Sequence, residues 1–298
     1  MGAKGTRRLN LTTALRLGRV SNLPTVWTNV LVGSLLSGGS LFDARLPLLL
    51  LALSLFYVSG MFLNDAFDRE FDAVHRPQRP IPAGQVSARQ VFLIGSGLLA
   101  LGLAGVAAAS RGPDGLPSWP ALASGAALAG AILFYNAHHK GNPLSPLVMG
   151  LCRVLVLLTA AFSVAAVPPT AVMLAAVALL CHLIGLTYIA KQEHLDRIGK
   201  LWPLAFLALP LLYGMALAVP APIVLLPLAL YAGVLVYALH LLRRRGRGDV
   251  PGAVVTLIAG MSVLDGVVLA GAGLSLPAAL AVAAFGLTLA LQRWVSGT

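Results

Sequence analysis

Apolar runs of about twenty residues recur along the whole chain, and this pattern limits the possible folds more than any other feature of the sequence. Of the 298 residues, 58% are hydrophobic and only 10% are charged, with a mean hydropathy of +0.87. Ordinary soluble domains carry about 25% charged residues. We therefore expect an all-α integral membrane protein, because in lipid a helix pairs its backbone polar groups within one segment.

Charged and Gly/Pro-rich breaks divide the chain into ten predicted spans, all within one polytopic membrane domain over residues 1–298. The last two are Gly- or Ala-rich and closely spaced. The predicted spans are 22–41, 46–63, 88–109, 119–136, 144–164, 169–190, 201–219, 221–242, 250–271 and 275–294.

The basic residues fall mainly in alternate loops, which argues against a nucleic-acid partner for this chain of net charge +11. The opposite loops carry only Arg45 and Arg111. The positive-inside rule then places both termini in the cytoplasm, and we expect a multi-pass protein of a bacterial or archaeal inner membrane. Cys152 and Cys181 lie in apolar runs and predict neither a metal site nor a disulfide.

The stretch NDAFDREFD, residues 64–72, gathers acids that are scarce elsewhere in the chain. Asp65, Asp68 and Asp72 are spaced to share one helix face, whereas Glu70 points elsewhere. Like charges on one stripe repel, so cations must neutralise them. Divalent metal is one source, and oxygen ligands of this kind suit Mg²⁺. The other source is the segment's own arginines, at 69, 76 and 79.

A second acidic segment, QEHLD at residues 192–196, ends the sixth predicted span as NDAFD ends the second. It offers Glu193 and Asp196 on the same predicted side. The similarity suggests a duplicated unit and hence two four-helix-type halves around a central cavity. We predict two acidic loops, at about 64–87 and 191–200.

Basic side chains suited to a phosphorylated ligand surround the acids. Arg76 and Arg79 lie in the proline-stiffened HRPQRPIPAG, while Lys140 and Lys191 end the fourth and sixth spans. The two lysines also fit simple snorkelling to the interface.

Arg153 lies inside span five, and a charge within a span is a functional candidate by default. Asp265, in span nine, is a possible partner for Arg153 but is left out of the predicted site. Metal-bridged acids with basic clamps at the mouth of an apolar bundle suit a ligand with a charged head and a long apolar tail, such as an isoprenyl diphosphate.

These motifs resemble the UbiA family of intramembrane prenyltransferases. The family's NDxxDxxxD stands complete at residues 64–72 and is followed by RPQRPIPAG. RVSNLPTVWTNVLVG resembles the family's first helix, YNAHHK its signature at the end of helix four, and TYIAKQEHLDRIGK takes the place of its second acidic motif. The resemblance runs from about Leu17 to Gly271. It implies a UbiA-like bundle of nine to ten helices, the tenth being a C-terminal addition.

The resemblance also implies an enzyme that uses Mg²⁺ to transfer a prenyl group from an isoprenyl diphosphate to a small acceptor, aromatic or polar and cyclic, within membrane lipid. Oligomeric state is left open. The implied catalytic and metal ligands are Asp65, Asp68, Asp72, Glu193 and Asp196. The implied diphosphate ligands are Arg19, Asn22, Asn64, Arg76, Arg79, Lys140, Arg153 and Lys191. The implied pocket for the prenyl cation or the acceptor contains Tyr135 and Tyr188.

The second motif departs from the family pattern, because it is spaced ExxD rather than DxxxD and Arg197 follows Asp196. This leaves open whether one or two metals bind. SNLPTVW together with TYIAKQE suggests a distinct branch, the EboC-like proteins. A membrane transporter and a non-catalytic protein that binds lipid or prenyl diphosphate remain alternatives. A CDP-alcohol phosphotransferase fits poorly, because its leading Asp-Gly pair is missing.

Overall fold

The computed structural model describes residues 9–112, 114–191, 202–244 and 246–295. These residues contain twelve α-helices. The helices are α1 (Leu11–Leu17), α2 (Leu23–Leu36), α3 (Leu46–Phe67), α4 (Arg69–His75), α5 (Ala88–Ala109), α6 (Trp119–His138), α7 (Ser145–Phe162), α8 (Thr170–Lys191), α9 (Ala208–Ala218), α10 (Leu225–Arg244), α11 (Asp249–Gly271) and α12 (Ser275–Gln292).

Eight of the described helices are long and apolar enough to cross a membrane, so the predicted all-α membrane fold is confirmed. The predicted count of nine or ten spans is not confirmed. The predicted span 22–41 contains α2, which has 14 residues, and the predicted span 201–219 contains α9, which has 11. At about 1.5 Å of rise per residue, neither α-helix alone covers a hydrocarbon core of about 30 Å. The cytoplasmic placement of the termini stays a prediction.

Local sequence explains where several helices begin. Proline in the first turn starts α2, α3, α6 and α7, where its missing N–H costs nothing and its fixed φ suits the helix. Ser87 and Gln90 form a reciprocal capping box at the start of α5. These signals lie at charged or polar breaks in the sequence, and they determine the residue at which each of these helices begins.

Helices α2 and α11 occupy the centre of the bundle. Helix α2 packs against α3, α7, α8, α11 and α12, while α11 is buried along nearly all its length. Gly33 permits the contact between α2 and α7, because a Cβ there would lie 2.1 Å from the carbonyl oxygen of Leu157. Small residues allow this close approach of helix backbones in membranes. The result is that α2 joins the helices of both halves of the chain.

Candidate active site

The acidic stretch is helical as far as His75, so the loop predicted over residues 64–87 begins only at Arg76. Helix α3 continues to Phe67, four residues beyond the predicted end of its span, and α4 follows at once. Asp68 stands between the two helices with near-helical backbone angles, φ −83° and ψ 0°. Asp65, Asp68 and Asp72 are all buried, whereas the Glu70 side chain is 84% exposed.

Two of the carboxylates share one arginine. Nη1 of Arg79 lies 3.3 Å from Oδ1 of Asp65 and 2.8 Å from Oδ2 of Asp72. Nη2 of Arg19 lies 3.4 Å from the same oxygen of Asp65. The second oxygen of Asp72 is buried and has no hydrogen-bond partner among the described residues. A buried carboxylate oxygen without a donor is costly, and it marks a position that a ligand would satisfy.

The third carboxylate, Asp68, is paired with the end of α6. Nζ of Lys140 lies 2.7 Å from its Oδ1, and Nε2 of His139 lies 3.5 Å from its Oδ2. Burial by itself raises the pKa of Asp68, but the hydrogen bonds and charges of His139 and Lys140 outweigh it. The net effect is a lowered pKa, so this carboxylate is held in its ionised form.

Stacked rings support this pairing. His139 lies on the ring of Tyr135 with centroids 4.9 Å apart, and the amine of Lys140 lies 4.1 Å from the ring centroid of Phe71. The ring of Phe71 also stacks on that of His75. Sequence reasoning missed His139 and Phe71, although both lie inside the stretches quoted above. Both could have been suspected from the sequence, because His139 is adjacent to the predicted ligand Lys140 and Phe71 is adjacent to the predicted ligand Asp72.

Asn64 ties α3 to α6. Its Nδ2 donates to Oδ1 of Asn136 at 3.2 Å, and Nδ2 of Asn136 donates to the carbonyl of Gly60. The Oδ1 of Asn64 accepts from Arg19 at 3.4 Å. Asn136 was also missed from sequence. Its place in YNAHHK, between Tyr135 and Lys140, is the only sequence signal for it.

The predicted Mg²⁺ fits the chemistry of these side chains but not a preassembled three-carboxylate cage. Buried carboxylates, one of them with an unpartnered oxygen, are suitable ligands for a hard cation. In the part of the chain that the structure describes, however, no three Asp, Glu, His or Cys side chains converge closely enough to hold a metal together. Three basic residues, Arg19, Arg79 and Lys140, balance the three acids instead.

Several predicted site residues lie elsewhere or outside the described residues. Arg76 is exposed at the end of α4, and Tyr188 is half-buried in α8. Asn22 is buried, and its side chain is engaged by Tyr57 and Gln292. Glu193 and Asp196 fall in residues 192–201, outside the described residues, as does the side chain of Lys191. The second acidic segment therefore stays a prediction.

Arg153 does not join the carboxylates at the mouth of the bundle. Its guanidinium donates to Oγ1 of Thr25 at 3.0 Å and to Oδ1 of Asn29 at 3.4 Å. Asn29 in turn donates to Asp265 at 2.7 Å. The sequence suggested an Arg153–Asp265 pair, and the structure connects the two residues through Asn29. Binding of diphosphate by Arg153 itself remains a prediction.

The fold and site define a multi-pass integral membrane protein with buried acids and matching cations at one end of a helical bundle. The chain belongs to the UbiA prenyltransferase family, whose model matches residues 26–251. It is 35% identical over 134 residues to digeranylgeranylglyceryl phosphate synthase from Methanothrix thermoacetophila, and 33% identical over 135 residues to that from Methanopyrus kandleri. Each match covers 45% of this chain and 47% or 46% of the relative, so it spans about half the relative's length.

Solved structures agree on the fold. A UbiA homologue from Aeropyrum pernix, in its apo form, has a TM-score of 0.64 at 19% identity, over 84% of this chain and 96% of that one. A UbiA homologue from Archaeoglobus fulgidus bound to GPP and Mg²⁺ has a TM-score of 0.52 at 18% identity, over 93% of this chain and 99% of that one. The resemblance to the UbiA family is thus confirmed, while the EboC-like branch stays a prediction.

Proposed function

We propose that this protein transfers a prenyl group from a prenyl diphosphate to a glyceryl phosphate acceptor at the membrane surface. One observation carries the proposal: three buried acids and three basic side chains meet at the mouth of the bundle, where a buried oxygen of Asp72 has no partner in the part of the chain that the structure describes. An acid cluster that binds metal and basic residues that bind phosphate are what a diphosphate leaving group requires.

Each residue has a part in the proposed reaction. Asp65, Asp68 and Asp72 would hold Mg²⁺, which would neutralise charge on the departing diphosphate. Arg19, Arg79 and Lys140 would pass from the acids to the diphosphate oxygens and stabilise the leaving group. Tyr135, beside His139, presents a ring to a developing allylic cation. The apolar walls of the bundle would keep water from that cation.

The acceptor is proposed from the names of the relatives, digeranylgeranylglyceryl phosphate synthases. A glyceryl phosphate that already carries one prenyl group would offer a free hydroxyl. Its oxygen would bond to C1 of the prenyl group as the bond from C1 to the diphosphate oxygen breaks, and the hydroxyl proton would be released. The names of the relatives support a lipid acceptor in place of the aromatic or polar cyclic acceptor expected from the sequence.

The test is prenyl transfer by the purified protein in detergent or nanodiscs. Geranylgeranyl diphosphate, Mg²⁺ and geranylgeranylglyceryl phosphate would be supplied, and the lipid product identified by mass spectrometry. We expect a product one prenyl group heavier than the acceptor, abolished by EDTA and by Asp65→Asn. Glu70→Gln is the matched control, because that exposed acid lies in the same stretch and pairs only with Arg69 among the described residues.

Other outcomes would favour the alternatives. Mg²⁺-dependent binding of the prenyl diphosphate without product from any acceptor would favour a non-catalytic binding protein. Sidedness-dependent lipid flux in liposomes without product would favour a transporter. Product from an aromatic acceptor but none from a glyceryl phosphate would keep the reaction class and replace the acceptor.

A further inference from the structure

A second set of polar side chains lies deep in the bundle, and the proposed function does not use it. Arg153 on α7 and Asp265 on α11 are 8% and 2% exposed. Asn29 on α2 bonds both, and Thr25, one turn earlier on α2, accepts from Arg153. Charges at this depth in a membrane are expensive, and they are usually tied to function.

This buried network extends to the backbone of Arg19 at the mouth. The guanidinium of Arg153 lies over the ring of Tyr57, 5.1 Å from its centroid. The hydroxyl of Tyr57 donates to the carbonyl oxygen of Arg19 at 3.4 Å and accepts from Nδ2 of Asn22 at 3.2 Å. Oδ1 of Asn22 accepts from Gln292 on α12 at 2.7 Å. Thr25 donates to the carbonyl of Asn22 at 2.7 Å, which joins the two parts of the network.

Arg19 has a backbone conformation that needs such support. Its φ of 43° and ψ of 47° are left-handed, and no other described residue besides glycine has a positive φ. A side chain with a Cβ disfavours this conformation, which persists where the surrounding structure imposes it. The left-handed turn directs the guanidinium of Arg19 to Asn64 and Asp65. Without the turn, the chain before α2 would send this side chain elsewhere.

We propose that the network of Arg153, Asp265, Asn29, Thr25 and Tyr57 is a positioning device that holds Arg19 in this turn, so that its guanidinium meets the diphosphate. The inference rests on the proposed function, because it assumes that Arg19 binds the prenyl diphosphate. Tyr57 is the direct link, since its hydroxyl bonds the carbonyl of Arg19. Arg153 and Asp265 fix the Tyr57 ring and the first turns of α2, and they act only through these neighbours.

Two Tyr→Phe variants separate positioning from simple support of the fold. Tyr57→Phe keeps the ring over Arg153 and removes only the hydroxyl. Tyr231→Phe is the matched control, because that buried tyrosine also hydrogen-bonds through its hydroxyl, to Nδ1 of His182 at 2.8 Å, in the second half of the chain. Both variants would be measured for melting temperature, for KM and kcat, and for the dissociation constant of an unreactive prenyl thiodiphosphate with Mg²⁺.

We expect Tyr57→Phe to weaken analogue binding and raise KM about three- to tenfold with kcat within about twofold, the effect of one lost hydrogen bond. Tyr231→Phe should leave KM and the dissociation constant of the analogue unchanged, even if it lowers the melting temperature as much as Tyr57→Phe does. In an Arg19→Gln background, Tyr57→Phe should cause no further loss of binding, because both changes act on one contact.

Equal binding by the wild type and Tyr57→Phe would overturn the inference while the proposed function stands. Additive losses in the Arg19→Gln background would also overturn it. Failure of the wild type to bind the analogue at all would instead overturn the proposed function. If Tyr57→Phe does not fold, Thr25→Val, which is close in shape and breaks the Arg153 contact, should weaken analogue binding in the same direction; unchanged binding would count against the network.

Discussion

The two charged regions of this molecule remove ions from water in different ways. At the mouth, the cations remain partly accessible, with 17% of the Arg19 side chain and 40% of the Lys140 side chain exposed, and Asp72 keeps an unpartnered oxygen. In the buried network, Arg153 and Asp265 are both sealed among α2, α7 and α11. Under the proposed function the ion pairs at the mouth would exchange partners, whereas Arg153 and Asp265, which are linked through Asn29, would keep theirs.

A third polar site shows what a purely structural contact looks like here. Nε2 of His182 donates to the carbonyl of Leu257, since a carbonyl oxygen only accepts, and Nδ1 then accepts from the hydroxyl of Tyr231. Both nitrogens of the imidazole have a hydrogen-bond partner. No polar atom of this pair is left for a ligand. The mouth differs from it in having an unsatisfied carboxylate oxygen, and the buried network differs from it in carrying charged groups.

The largest expected effect belongs to the mouth. Asp72→Asn keeps the size of the side chain but removes its charge, and we expect prenyl transfer to fall about 100- to 1,000-fold, as for other groups that stabilise developing charge. Steady-state rates at saturating Mg²⁺ would measure this. Glu70→Gln should retain wild-type turnover, and comparable losses in the two variants would remove the distinction between buried and exposed acids.

The buried network should respond in stability. Arg153→Met removes the buried cation that Asn29 links to Asp265, and we expect a loss of about 3–5 kcal/mol in unfolding free energy, because Asp265 is left as an uncompensated buried charge. The double variant Arg153→Met with Asp265→Leu should recover most of it, because no charge remains buried. Denaturation in mixed detergent would compare the three proteins. A double variant less stable than the single one would mean that the charges themselves hold the bundle together.

Exchange of partners at the mouth is tested by Arg79. Arg79→Gln should weaken binding of a prenyl thiodiphosphate about 10- to 100-fold, since a charge-assisted contact is lost. In the absence of any diphosphate it should tighten Mn²⁺ binding, measured by electron paramagnetic resonance, because the cation between Asp65 and Asp72 is gone. Arg76→Gln, from the same loop, should leave Mn²⁺ binding unchanged. Weaker Mn²⁺ binding by Arg79→Gln would show that its guanidinium does not compete with metal.

The smallest effect is expected for the exposed pair at the opposite end of the bundle. Asp43 and Arg45 are bonded at 2.8 Å, and the hydrogen bonds from Arg45 lower the pKa of Asp43 to about 2. Because the pKa of Asp43 is lower in the folded protein than its usual value, the stability that the pair contributes is present above that usual pKa and is lost as pH falls toward 2. Solvent screens this pair, and Asp43→Ala should change stability by less than about 1 kcal/mol at pH 7. A larger loss of stability in thermal melts would show that this ion pair stabilises the fold more than its exposure suggests.

The sequence predicted the fold class and the residues of the mouth because both leave strong local signals. Long apolar runs identify membrane helices, and Asp65, Asp68 and Asp72 stand out in a chain with 10 acidic residues. The family resemblance placed Lys140 and Asp68 in one site, as a diphosphate ligand and a metal ligand, but it did not predict that the two pair with each other. The continuation of α3 through the acids could not be read from hydropathy, because polar residues end an apolar run whether or not the helix ends.

The buried network was harder to predict, since its five residues are spread over four separate helices. Thr25 and Asn29 are four positions apart, which places them on one face of α2, and Asn22 stands three positions before Thr25 at the N-cap; this spacing is visible in the sequence. What it did not reveal is the partner of each side chain. Tyr57 resembles any interfacial tyrosine until the structure places its hydroxyl on the Arg19 carbonyl.

The shared position of Arg79 has a consequence for turnover. In a membrane site that binds a diphosphate tightly, departure of that diphosphate after bond cleavage can limit the rate. Under the proposed function, Asp65 and Asp72 would compete with the diphosphate for the same guanidinium nitrogen, and their ion pairs with Arg79 would re-form when the diphosphate leaves. The acids proposed to hold the metal for the leaving diphosphate would then also promote its release. Removing their charge would slow the release of diphosphate as well as the cleavage of its bond to C1.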